Sequence, residues 1–101
     1  MYKDEKAEGE VMLAPDLTQP SVKGLIYKLR HPELDPEGFA WDYSDCKNCA
    51  MGLSAKTWSH NYDAYDTAKV LKMDPAKAAV IFCHQPMTAT RERIAEILEM
   101  V

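Results

Sequence analysis

Over most of this chain the apolar positions recur at helical rather than strand spacing. Val22, Leu25, Ile26 and Leu29 fall at i, i+3, i+4 and i+7, which is one face of an amphipathic helix. Ser21 precedes them as a capping residue. His31-Pro32 closes the run, because a proline disfavours helical geometry in the residue before it. Gly24 costs helix propensity but permits close packing. A second helix is predicted from Ser44 or Asp45, with Cys46, Cys49, Ala50, Leu53 and Thr57 forming a narrow stripe of small residues. Gly52 lets another backbone approach it, and Asn61 is a plausible stop just beyond its end. A third helix is predicted over residues 62–72, with Tyr65, Ala68 and Leu71 on its inner face and Ala64 nearby. Asp74-Pro75 opens a fourth, with Asp as cap, Pro in the first position and Ala76, Ala79, Val80 and Cys83 as its buried face; Pro86 ends it. Thr88 or Thr90 caps a fifth, in which Ile94, Ile97, Leu98 and Val101 repeat at i, i+3, i+4 and i+7.

Two stretches depart from this pattern. Residues 1–20 read as a flexible N-terminal arm: a charged run from Tyr2 to Glu10, a short apolar patch of Val11, Met12 and Leu13, then Pro15 and Pro20. The patch is suited to lie against the domain, or to dock on a partner. Residues 32–38 are rich in turn formers. After them Phe39, Trp41 and Tyr43 alternate with Ala40 and Asp42, placing three rings on one face of an extended segment. No strand partner is evident, so the rings read as an aromatic strap over the helices, with a ligand- or base-stacking platform as the alternative. The expected architecture is mainly α: a single small domain over residues 21–101, with four or five short helices, an aromatic extended segment and the arm.

Composition narrows the class. A chain of 101 residues suits one domain, and 47% hydrophobic residues argue against wholesale disorder. The longest unbroken apolar run, residues 78–83, is too short for a bilayer, and no basic stretch followed by an apolar one opens the chain, so neither a membrane partner nor a signal peptide is expected. A formal charge of −4 disfavours a nucleic-acid backbone binder. Three cysteines, Cys46, Cys49 and Cys83, leave one unpaired in any disulfide scheme, which fits a reducing, cytoplasmic setting.

The Cys46-Lys47-Asn48-Cys49 spacing carries the candidate chemistry. Cys46 and Cys49 fit one half of a zinc site, to be completed by Cys83 and one of His84, His60 or His31; a second C-x-x-C or an H-x₃-H is missing. A thiol-redox reading rests on the lowered thiol pKa at a helix start, but the βαβ context of such motifs is absent. A catalytic reading pairs Cys46 or Cys49 as nucleophile with His84 as base, without a clear third group to orient the base. Against these stands the plainer reading that Cys46 and Cys49 are small buried residues on an inward helix stripe. That reading is carried forward, with no cofactor expected.

Residues 68–81 also have the spacing of a helix-turn-helix, with Ala68, Leu71, Met73, Ala78 and Ile81 inward. Lys72 stands where glycine is often used, and the second helix offers little to read base edges, so DNA binding is a further alternative. The carboxylates are scattered, and Arg91, Glu92, Arg93, Glu96 and Glu99 of the last helix read as its solvated face. Methionines spread along the chain suit an adaptable contact surface. Phe39, Trp41, Tyr43 and Trp58 are the candidate interaction residues.

Residues 41–54, with Cys46, Cys49, Ala50, Gly52 and Leu53, resemble a C-x-x-C-A-x-G-L-A-like helix start in small uncharacterised bacterial and phage proteins, although Ser54 stands where alanine is usual. Residues 71–82 resemble their second shared stretch, a helical corner before a final helix. The resemblance implies a helical fold and a phage or mobile-element setting, and carries no mechanism. The expectation is a small non-enzymatic protein that binds another macromolecule, a protein rather than a nucleic acid, through its surface and not by catalysis, with a homo-oligomer left open. An inhibitor or regulator of a host protein is the form that setting suggests. The alternatives are a cysteine-based enzyme (Cys49 with His84), a zinc site (Cys46, Cys49, Cys83, His84) and a DNA-binding regulator.

Overall fold

The computed structural model describes residues 15–101. Within them the chain forms α1 (Val22–Arg30), a single 3₁₀ turn (Pro32–Leu34), α2 (Ala50–Trp58), α3 (Ala64–Leu71), α4 (Pro75–Cys83) and α5 (Arg91–Glu99), with no strand among the described residues. Side chains set four of the five helix starts. Ser21 Oγ accepts from the Gly24 N–H at 2.9 Å, and Asp63 from Asp66 at 2.6 Å. Asp74 accepts from Lys77 at 3.0 Å, and Thr90 from Arg93 at 3.1 Å. Each satisfies a backbone donor that the helix itself cannot, a contribution of about 1 kcal/mol apiece. Thr90, not Thr88, is the cap of α5.

Two helices end on left-handed residues that are not glycine: Ser59 (φ 58°) after α2 and Lys72 (φ 60°) after α3. At Lys72 the turn is closed twice, by Lys72 N–H to the Lys69 carbonyl at 3.3 Å and by Met73 N–H to the Ala68 carbonyl at 2.9 Å. This folds Met73 back onto the core and sends α4 against α3.

Helix α1 lies along α5, and α3 along α4. Leu25 and Leu29 meet Ile94 and Leu98 in a shared core completed by Leu53, Ala68, Leu71, Ala78, Ile81 and Phe82. Gly24 earns its place by contact: a Cβ there would lie 3.3 Å from the Trp58 ring. The Trp58 indole N–H in turn donates to the Leu17 carbonyl at 3.0 Å, joining residues 15–20 to α2. The rest of the expected arm, with the Val11, Met12 and Leu13 patch, lies outside the described residues.

Two expectations are corrected. Helix α2 does not begin at Ser44 or Asp45; residues 42–48 form a series of turns. Asp42 Oδ1 accepts from the Ser44 N–H and hydroxyl at 3.0 and 2.6 Å, and Asp45 Oδ1 accepts from the Lys47 N–H at 3.0 Å. Short aspartate side chains here offer the backbone partners that a helix would otherwise supply, and the turn wins. Cys46 is therefore exposed rather than on an inward helix stripe, while Cys49, the residue before α2, is buried.

The second correction is the face of α4. Ala78, Ile81 and Phe82 are its buried residues; Ala76, Val80 and Cys83 are exposed. Its sequence, PAKAAVIFC, is apolar nearly all round, so spacing alone permits either face. The larger Ile81 and Phe82 side chains take the core. On α3, likewise, Tyr65 is not on the inner face but 69% exposed, and Thr67, Ala68 and Leu71 are the buried residues.

The stretch bearing Phe39, Trp41 and Tyr43 pairs with no strand. Its rings are anchored singly: Trp41 Nε1–H donates to the Ala89 carbonyl at 3.0 Å, and the Tyr43 hydroxyl donates to the Ile81 carbonyl at 2.7 Å while accepting from the Gln85 N–H at 2.9 Å.

Candidate functional site

Two surface features are built by residues far apart in the chain. The first is a hollow of about 250 Å³ between the 43–49 turns and the end of α4. All three cysteines line it, together with Tyr43, Met51 and Met87. The turns hold Cys46 and Cys49 in place through Asn48, whose N–H donates to the Asp45 carbonyl at 2.8 Å and whose carbonyl accepts from the Asp42 N–H at 2.9 Å. Gly52 completes the clamp. A Cβ on it would fall 2.3 Å from the Lys47 carbonyl carbon and oxygen, so only glycine lets α2 sit against that peptide.

The two thiols of the C-x-x-C thus live in different environments. Cys49 is 1% exposed, and its thiol points to the Cys46 carbonyl at 3.7 Å. Burial pushes this thiol up from its ordinary pKa, opposed in part by the N–H groups of Gly52 and Met51 at the start of α2. Burial likewise raises the Tyr43 phenol.

None of the three histidines lines this hollow. His84 follows α4 and is exposed. His31 stacks on Tyr27 with ring centroids 3.9 Å apart, its Nδ1 2.7 Å from the Tyr27 carbonyl. His60 pairs with Ser54, Oγ to Nε2 at 2.7 Å, and its Nδ1 lies 2.8 Å from the Asn61 carbonyl. A carbonyl only accepts, so Nδ1 carries a proton, and in the neutral ring Nε2 accepts from the Ser54 hydroxyl. The pair has the polarity of a serine–histidine dyad, yet Ser54 is fully buried and out of reach of a substrate. It ties the turn after α2 back to that helix. The structure thus brings Cys46, Cys49 and Cys83 to one hollow and leaves His84, His60 and His31 elsewhere. Among the described residues, no three His, Cys, Asp or Glu side chains are gathered closely enough to hold a metal ion.

The second feature is an apolar groove of about 370 Å³ between α4 and α5, lined by Ala76, Lys77, Val80, Ile81, Ile97, Met100 and Val101. Val80 is 53% and Met100 74% exposed along it. Sequence periodicity placed Val80 inward, so the groove was not foreseen. The usable signal was an all-apolar α4, which buries one face and leaves hydrocarbon on the other.

The aromatic candidates are mostly structural. Tyr43 is buried, Trp41 and Trp58 spend their N–H groups on backbone carbonyls, and Phe39 lies under the Arg91 guanidinium, 5.7 Å from the ring centre, and Lys56, 5.5 Å away. In the helical corner Lys72 adopts the left-handed conformation, and Lys77 is the single cation on α4. No helix among the described residues is long and apolar enough to cross a membrane.

Set beside protein-family models, curated proteins and solved structures, the chain matches none of them.

Proposed function

We propose that this protein is a small non-enzymatic interaction module that binds another protein through the groove between α4 and α5. One observation carries the reading: α4 presents Val80 to solvent beside Met100 and Val101, hydrocarbon left exposed among the described residues. A contiguous exposed apolar patch is one of the surface features by which protein interaction sites are marked. The groove suits the aliphatic face of a partner helix, and Lys77 on its lining favours a carboxylate beside that face. Action by occlusion of a host protein, in the phage or mobile-element setting that the sequence resemblance implies, is the form this binding takes. Phe39, only half-buried, is a secondary contact.

The test is affinity capture from the native host with the wild-type chain and with Val80→Asp. Aspartate on this exposed position leaves the core intact but puts a charge into the groove. Loss of one specific partner with Val80→Asp, and its retention with Cys46→Ser, is expected. Equal capture by both variants refutes the groove as the binding surface.

A further inference from the structure

The hollow lined by cysteines is independent of that groove and carries its own chemistry. Cys46 is exposed and Cys49 buried, three residues apart, in a turn whose peptide is pinned against α2 by the missing side chain of Gly52. Cys49 Sγ lies against the Cys46 peptide, 3.7 Å from its carbonyl oxygen, and both cysteines line the same hollow, so rotation of the Cys46 side chain towards that hollow is the movement that brings the two sulfurs together. Exposure leaves the Cys46 side chain free to make that rotation, while the backbone between the two residues is already fixed by the hydrogen bonds of Asn48 and Asp45. From this geometry we infer that Cys46 and Cys49 form a reversible intramolecular disulfide on reaction with a small-molecule disulfide, Cys46 attacking and Cys49 resolving.

The steps balance. The Cys46 thiolate, its proton lost to water, attacks one sulfur of the small disulfide; the S–S bond breaks, and one thiolate leaves and takes up a proton. The Cys49 thiolate then attacks the Cys46 sulfur of the mixed disulfide and expels the second small thiol. Two protein thiols are oxidised to one disulfide, and the small disulfide is reduced to two thiols. The order follows from access, since only Cys46 meets an incoming molecule, and the Cys49 thiolate, once formed, faces the Gly52 and Met51 N–H groups. Cys83, exposed on the far wall of the same hollow, is the competitor.

The experiment treats the reduced full-length chain with excess glutathione disulfide, quenches with acid, alkylates free thiols and maps peptides. Trypsin cuts after Lys47, between the two cysteines, so the bond joins two separate peptides. Expected are a Cys46–Cys49 cross-link in the wild type and equally in Cys83→Ser, a glutathione adduct as the sole modification of Cys83 in the wild type, and recovery of all thiols with dithiothreitol. Cys49→Ser is expected to stop at the glutathione adduct on Cys46. Cys46→Ser, at an exposed position where folding is not at stake, is expected to form no intramolecular bond. A wild-type bond to Cys83, a bond between chains, or a reaction that halts at the mixed disulfide overturns the inference.

Discussion

Arg91 grips Asp35 with two parallel hydrogen bonds of 2.7 Å, and the rest of its guanidinium closes the open end of α1 by donating to the Leu29 and Lys28 carbonyls at 2.9 and 3.0 Å. One side chain at the start of α5 thus satisfies the loop after α1 and two of the last carbonyls of that helix, Leu29 and Lys28, the latter shared with the His31 N–H at 3.2 Å. Both side chains of the pair are 17% exposed, so Arg91, expected on the solvated face of the last helix, is instead turned into the fold by these partners. Breaking a fully buried pair costs about 3–5 kcal/mol, and this residual exposure brings the expectation for Arg91→Ala to about 2–4 kcal/mol. Arg91→Lys should recover little, because an ammonium cannot donate in the same plane to a carboxylate and two carbonyls. Urea unfolding of the three proteins checks this; a lysine variant as stable as the wild type would show that only the charge matters.

Lys72 and Ser59 hold left-handed backbone conformations, at φ 60° and 58°, that favour glycine. Lys72 is exposed and its side chain is not needed by the turn, whose bonds are all backbone. Lys72→Gly is therefore expected to stabilise the fold by about 0.5–1 kcal/mol, relief of strain outweighing the greater freedom of glycine when unfolded. Lys72→Ala, which keeps the strain, should not. The measure is a rise in the urea midpoint at unchanged slope.

Most of the helices were legible in the sequence because their signals were local and mutually consistent. Ser21, Asp74 and Thr90 each sit one residue ahead of a predicted helix, and the structure uses all three as caps; Asp63, the cap of α3, falls inside the helix predicted over residues 62–72. The failures had physical causes too. The stripe from Cys46 to Leu53 obeys helical spacing, but spacing is silent about the local competition that Asp42 and Asp45 win for the backbone. The face of α4 was misread because a helix apolar all round has no polar side to mark the outside. The convergence of Cys83 with Cys46 and Cys49 depends on how α4 lies across the 43–49 turns, a relation between distant segments that no motif encodes.

Arg30 links α1 to α5 by reaching two carboxylates, Glu92 at 2.7 Å and Glu99 at 2.8 Å. Its hydrogen bonds hold both below their ordinary value of 4.5, and the two glutamates raise Arg30 in return. For a carboxylate whose pKa is lower folded than unfolded, the unfolded chain binds the more protons in the acid range. The stabilisation is therefore complete above the ordinary glutamate value and is lost as pH falls below it towards the folded values. All three groups are open to solvent, so the effect is small and screened by salt. Arg30→Gln should flatten the acid limb of the stability profile and leave its neutral plateau only slightly lower. Profiles that stay parallel down to full protonation would contradict the linkage.

Gly52 offers the sharpest test of how the thiol turn is held. A methyl group there meets the Lys47 carbonyl carbon and oxygen at 2.3 Å and the Cys46 carbonyl oxygen at 2.7 Å, and these are backbone atoms that cannot swing aside. Either α2 or the turn has to move. Overpacking of this kind costs about 1–3 kcal/mol and more where backbone is displaced, so Gly52→Ala is expected at or above the upper end of that range. The displaced element is also predictable. Residues 42–48 are held by side-chain and turn hydrogen bonds at the surface, whereas Leu53 and Ala50 of α2 are fully buried, so the turn yields first. Cys49 loses its cover as the turn lifts. In the native wild type, Ellman's reagent should titrate Cys46 and Cys83 quickly and Cys49 only slowly. In Gly52→Ala the slow thiol should become fast while the far-ultraviolet signature of the helices persists. A Cys49 that remains protected in a folded Gly52→Ala protein would show that α2, not the turn, gives way.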